Sequence, residues 1–137
     1  MITRPRGLGY HTVSCQIGSF MEYLESVTPH IPSKNMKESI SFMVETFGFE
    51  SINYSELYSE LLSGNQILGI IQAQGEPNQQ SIYLRVKDVD VLWSKIKSKL
   101  EKAKPRAPFN QEYGMREIHV VIPGTNTLLF IGSPINT

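Results

Sequence analysis

One succession of signals occurs twice in this 137-residue chain, and it limits the fold more than any single motif does. A strand pattern runs through a short turn into a helix pattern, and three more strand patterns follow. In the first pass the strand is Val27 to Pro32 and the helix begins near Asn35. Strands at Glu50 to Tyr54, Glu56 to Leu62 and Gln66 to Gln72 complete it, with Ser63-Gly64-Asn65 as a hairpin turn. In the second pass Ser81 to Val86 leads to a helix from Asp88 or Asp90. Arg106 to Phe109, Met115 to Ile122 and Thr127 to Gly132 follow, the last two joined by the turn Pro123-Gly124-Thr125-Asn126. The order β-α-β-β-β is therefore an internal repeat, faint in letters and plain in pattern. Asn35 falls on Asp88, Thr28 on Ser81, His30 on Tyr83 and Met43 on Ile96. The expectation is an α+β chain of two βαβββ modules, at about residues 21–76 and 77–137 of a single domain. Residues 1–20 lack a clear period and read as an N-terminal extension, either an arm or upstream sequence.

The two helices carry their own punctuation. Asn35 with Glu38 three residues on makes a capping-box pattern. Met36, Ile40, Met43 and Phe47 then line one face, and Gly48 ends the helix. In the second helix Val89, Leu92, Trp93, Ile96 and Leu100 form the apolar face, and Pro105 stops it after Lys104. That spacing makes Trp93 a packing residue before it makes it a ligand platform.

Charge and cysteine content narrow the function classes. Thirteen Lys and Arg balance thirteen Asp and Glu, so the excess of positive charge usual in nucleic-acid binders is missing. The basic cluster Lys95, Lys97, Lys99, Lys102, Lys104 and Arg106 reads as the wet side and end of the second helix. Cys15 is the only cysteine and cannot form an internal disulfide, which points to a reducing, cytoplasmic setting. No apolar run approaches the roughly 20 residues of a membrane span. Neither a nucleic-acid partner nor a membrane is expected.

Three stretches resemble one family. Pro29 to Phe42 (PHIPSKNMKESISF) is similar to the opening of a bleomycin-resistance-type protein, and Glu45-Thr46-Phe47-Gly48-Phe49-Glu50 resembles its "LGFE" helix end. Tyr113-Gly114-Met115-Arg116-Glu117-Ile118 and Ile122-Pro123-Gly124-Thr125-Asn126 resemble its closing "YGMREF…DPDGN". With the repeat, these identify the glyoxalase/bleomycin-resistance/dioxygenase (vicinal-oxygen-chelate) superfamily over about residues 21–134. The resemblance implies two modules whose curled mixed sheets enclose a cavity, and a homodimer with pockets at the subunit boundary. The fold hosts several chemistries and does not fix the function.

Metal-dependent members hold a divalent ion with His and Glu from the first and last strands of the modules. Matched to those positions, this chain has Thr28, Ser81, Leu129 and, near the fourth, Leu68, none of them a usual ligand. Ile122 and Gly124 stand where the family's turn has two Asp. His30 shares a strand face with Thr28 and reads as a polar wall of the pocket, with metal ligation the lesser alternative. His119, among apolar neighbours, reads as a partly buried strand residue. No phosphate loop, nucleophile elbow or CxxC is present. No metal, cofactor or catalytic residue is therefore expected.

Alternation offers another lining. Tyr54, Glu56, Tyr58, Glu60 and Leu62 share one face, with Leu57 and Leu61 opposite to pack on the helices. Tyr83 falls on the face of Ser81, and Arg116 and Glu117 form either a strand-edge ion pair or a pocket contact. The candidate ligand-binding residues are His30, Tyr54, Tyr58, Glu60, Tyr83, Glu117 and Leu129. Rings and carboxylates together suit a flat or cationic organic molecule. The expected function is metal-independent binding of such a small molecule. The alternatives are a metal-dependent lyase, isomerase or dioxygenase, and an interaction or regulatory domain.

Overall fold

The computed structural model describes residues 22–135, so the extension expected over residues 1–20 lies outside the described residues. The first module runs β1 (His30–Ser33), α1 (Met36–Phe47), β2 (Glu50–Asn53), β3 (Tyr58–Ser63) and β4 (Gln66–Gln72). The second runs β5 (Gln80–Arg85), α2 (Val89–Ile96), β6 (Arg106–Asn110), β7 (Met115–Val121) and β8 (Thr127–Pro134). Each module makes a four-stranded sheet, in the orders β1-β4-β3-β2 and β5-β8-β7-β6. The first strand of each pairs parallel with the last, and the other pairs are antiparallel. The βαβββ repeat is thus present twice, with the same pairing.

Local chemistry places both helices. The Asn35 side chain accepts from the Glu38 backbone N–H at 3.1 Å, and Gly48 closes α1 with φ 79°. At the equivalent place, Asp88 accepts from Asp90 and Val91 at 3.0 and 3.2 Å. The α2 helix is shorter than its periodicity predicts. After Ile96 the chain tightens into two 3-10 turns, Lys97–Lys99 and Glu101–Ala103, which bring Leu100 and Ala103 fully into the core. A three-residue turn stacks every third side chain and keeps Leu100 and Ala103 on one side.

Each helix covers one face of its sheet. Ile31, Met43, Leu61 and Ile70 are fully buried in the first module, and Val89, Ile118, Val120, Leu129 and Ile131 in the second. Strand side chains alternate, so the neighbours of these residues point to the opposite, open face. Tyr83 and Tyr54 there are 42% and 60% exposed. Leu57, expected to pack on a helix, is 65% exposed because it precedes β3.

A polar joint ties the modules together. The Ser39 hydroxyl donates to the Pro123 carbonyl at 2.6 Å and lies 2.7 Å from the Ser33 hydroxyl. The Lys34 backbone N–H donates to Gly124 O at 2.8 Å, and Ser33 forms a β-bridge with Thr125. Gly124 has φ 86°, and a Cβ there would come within 2.8 Å of the Ser39 hydroxyl. This explains why the most buried α1 positions are Ser39, Met43 and Thr46, with Met36, Ile40 and Phe47 only partly covered. The helix face is rotated to meet the turn as well as the sheet.

Candidate functional site

The open face of the first sheet gathers four of the expected residues. Tyr58 and Glu60 project from β3, two residues apart on the same face, and Tyr54 follows β2 across a backbone hydrogen bond to Tyr58. The Tyr54 and Tyr58 rings stack at 5.7 Å and 27°. Both hydroxyls donate to Glu60, from Tyr54 to Oε1 at 3.1 Å and from Tyr58 to Oε2 at 2.8 Å. The His30 ring lies 5.6 Å from Tyr58. Hydrogen bonds to Glu60, and its charge, hold both phenols above the usual tyrosine range. Each Glu60 oxygen receives one bond and keeps capacity for another.

Tyr83 and Glu117 form a second cluster on the other sheet, with three residues that sequence reasoning did not place there. Glu117 is fully buried. Its Oε1 is 3.0 Å from Gln111 Nε2 and 2.9 Å from His119 Nε2, and its Oε2 accepts from Tyr83 at 2.9 Å and Tyr113 at 2.6 Å. Burial alone would raise the carboxyl, but hydrogen bonds from Tyr113, His119, Gln111 and Tyr83 outweigh it and bring the pKa down to about 2. Burial and the bond to Glu117 push Tyr83 up to about 12. Four donors fill the two carboxylate oxygens, so Glu117 is a hub rather than a free acceptor. The Arg116–Glu117 pair is split by the sheet. Arg116 reaches Asp90 on α2 at 2.9 Å, on the other side from Glu117.

The two clusters are equivalent by register. Glu60 pairs with Gly69 across β3 and β4, and Glu117 pairs with Gly132 across β7 and β8. A Cβ on Gly69 would meet His30 Cδ2 at 2.9 Å and Tyr58 Cε1 at 3.0 Å. On Gly132 it would clash with the Tyr83 hydroxyl and meet Glu117 Cγ at 2.8 Å. Rings lie over bare backbone in both modules, and any side chain there would displace them.

Leu129 requires correction as a lining residue. It is fully buried among Ile118, Val120 and Ile131, on the helix-covered face. Parallel pairing sets Ser81 beside Leu128 and Tyr83 beside Phe130, so the open positions of β8 are Leu128 and Phe130. Leu68, 7% exposed, is likewise in the core, and its neighbours Ile67 and Gly69 share the open face. A one-residue offset between a matched motif and the strand register reverses a side chain, and the pairing of β5 with β8 and of β3 with β4 fixes which residues face the open side. The open positions of the first and last strands then offer a single imidazole, His30, beside Gly69, Ser81, Tyr83, Leu128 and Phe130. Among the described residues no group of three or more His, Cys, Asp or Glu could hold a metal ion. This donor set does not fit a divalent ion.

A groove of about 480 Å³ lies on the other side of the first sheet, between α1 and β2–β3, lined by Met36, Ile40, Asn53 and Ser59 among others. It is separate from both clusters.

Comparison with solved structures settles the architecture. A bleomycin-binding protein in complex with bleomycin superposes with a TM-score of 0.69 at 23% identity, over 82% of this chain and 100% of that one. This chain has the glyoxalase/bleomycin-resistance fold. An antibiotic-binding protein from Streptomyces sp. CB03234 matches with a TM-score of 0.67 at 16% identity, over 82% and 98% of the two chains. A lactoylglutathione lyase from Agrobacterium tumefaciens matches with a TM-score of 0.65 at 12% identity, over 80% and 94%. No family model matches the sequence, and no curated protein is significantly similar to it. The glyoxalase/bleomycin-resistance fold thus hosts both binders and a lyase among these neighbours.

Tyr113, Gln111, His119, Phe109 and Phe130 are the residues that reading the sequence missed. The signal for His119 was present, since it shares the alternation of β7 with Glu117. Tyr113 and Gln111 sit in the loop before β7, where no periodicity applies.

Proposed function

We propose that this chain binds a small, flat, cationic organic molecule without metal, at His30, Tyr54, Tyr58 and Glu60 on the first sheet. The observation that carries this reading is the stacked Tyr54–Tyr58 pair with both hydroxyls on Glu60. Stacked phenols supply ring faces for a planar ligand and attraction for a cation. Glu60 supplies the counter-charge and has lone pairs to spare. Solved neighbours that bind bleomycin and an antibiotic support binding as the use of this fold. The exposed rings of Tyr54, Tyr83 and Tyr113 support a second copy of the chain as the cover that closes the site into a homodimer.

The test uses N-methylacridinium against acridine, a charged and an uncharged ring system of nearly the same shape, at a pH where acridine is neutral. The native protein is expected to prefer the cation by about tenfold, and E60Q to remove most of that preference. Equal binding of the two rings by the native protein would overturn the reading. Y54F and Y58F keep the rings and are expected to weaken binding less than Y54A and Y58A.

A further inference from the structure

The second sheet carries a polar atom that the cation-binding face of the first sheet does not use. His119 stands on β7 with its ring 4.1 Å from Phe130 and 5.0 Å from Phe109. Its Nε2 is 2.9 Å from Glu117 Oε1. The ionised Glu117 carboxylate has no proton to give, so the hydrogen of that bond belongs to His119 Nε2. In a neutral imidazole one nitrogen then remains as an acceptor, and it is Nδ1. No protein group among the described residues bonds to Nδ1. Nor is it sealed from solvent: among the described residues, Thr127 Oγ1 is the buried side-chain polar atom without a partner. The His119 side chain keeps 13% of its surface exposed.

We propose that this face is a second ligand shelf, taking a flat aromatic molecule that bears a hydroxyl or ring N–H, with His119 Nδ1 accepting that hydrogen. Phe109 and Phe130 supply the apolar ring contacts. The Arg106 guanidinium, 3.5 Å from the Phe109 ring centroid, covers one face of Phe109 and holds it in place. Glu117 is a positioning residue that fixes the tautomer and the ring plane of His119. The chemistry is opposite to that of the first sheet. There a carboxylate with free lone pairs awaits a cation. Here the carboxylate is filled by its four donors, and the group left without a partner is the second ring nitrogen of His119. A site with a hydrogen-bond acceptor rejects an analogue that lacks the donor, because the acceptor then loses its water without replacement.

The experiment titrates phenol, anisole and benzoate into ¹⁵N-histidine-labelled protein and follows the His119 ring nitrogens. Phenol is expected to shift the Nδ1 resonance and to bind about tenfold more tightly than anisole, with benzoate no better than anisole. In H119F the phenol-to-anisole ratio is expected to fall to near one. Equal binding of phenol and anisole to the native protein would overturn the proposal. So would a preference for benzoate, which would assign the face to an imidazolium or to Arg106. The native Nδ1 shift decides the matter even if H119F does not fold. The N-methylacridinium titration runs in parallel. If charge preference is lost while the phenol-to-anisole ratio stands, the first reading fails and this one holds.

Discussion

Glu117 shows how one residue can order a whole surface. Its pKa in the folded chain, about 2, lies below the ordinary 4.5 of the free group. The stability it contributes is therefore complete above about pH 4.5 and is lost as pH falls toward 2. A gap of this size corresponds to roughly 3 kcal/mol. Urea titrations across that acid range should show the loss in the native protein and a flatter profile in E117Q. At neutral pH, E117Q should itself cost about 2–4 kcal/mol, because an amide offers donors to a site already full of donors. The importance of Glu117 was half legible in the sequence. Its match to a family motif singled it out, but the motif joined it to Arg116. Adjacent strand residues face opposite ways, and only the sheet showed that Arg116 goes to α2 while Glu117 meets two tyrosines.

Among the elements, β8 decides the register of the second module. Leu129→Ala should cost about 2–5 kcal/mol, as loss of a fully buried leucine does. Leu128→Ala, on the open face, should cost well under half as much, measured by the same denaturant unfolding. Equal losses would contradict the pairing of Ser81 with Leu128. The strands themselves were readable, because alternation and turn residues are local signals. So were the caps Asn35, Gly48 and Asp88, whose roles follow from their own side chains or lack of one. The facing of β8 was not readable, since a single residue of offset in matching a strand inverts it. The early end of α2 was also hidden, because a 3-10 turn and an α-helix can bury the same leucine.

At the scale of the whole molecule, the repeat was legible because each module must bury the same helix face on the same sheet. The joint between modules was not, since Ser39 and Pro123 carry no sign of one another. S39A should destabilise the chain by about 1–3 kcal/mol, because it leaves a carbonyl and a hydroxyl in the joint short of a partner. G124A should cost at least as much, having both a positive φ and a crowded Cβ. Both are checked by thermal or urea unfolding. Light scattering at micromolar concentration should report a dimer, and a monomer would leave the open faces uncovered and argue against a closed pocket.

The Ser39–Pro123 bond also has a consequence in time. It spans 84 residues, so the joint between the modules cannot be finished until the turn before β8 exists. Contacts of such long sequence separation form late and slow the search for the native state. During synthesis, the first module can pair its strands as it emerges, while the Ser39 hydroxyl and the Lys34 N–H wait for their partners at Pro123 and Gly124. The final hairpin then closes the first module and the second in one event. Folding measured by fluorescence at Trp93, in the second module, and by exchange protection at Lys34 N–H, in the first, should therefore finish together.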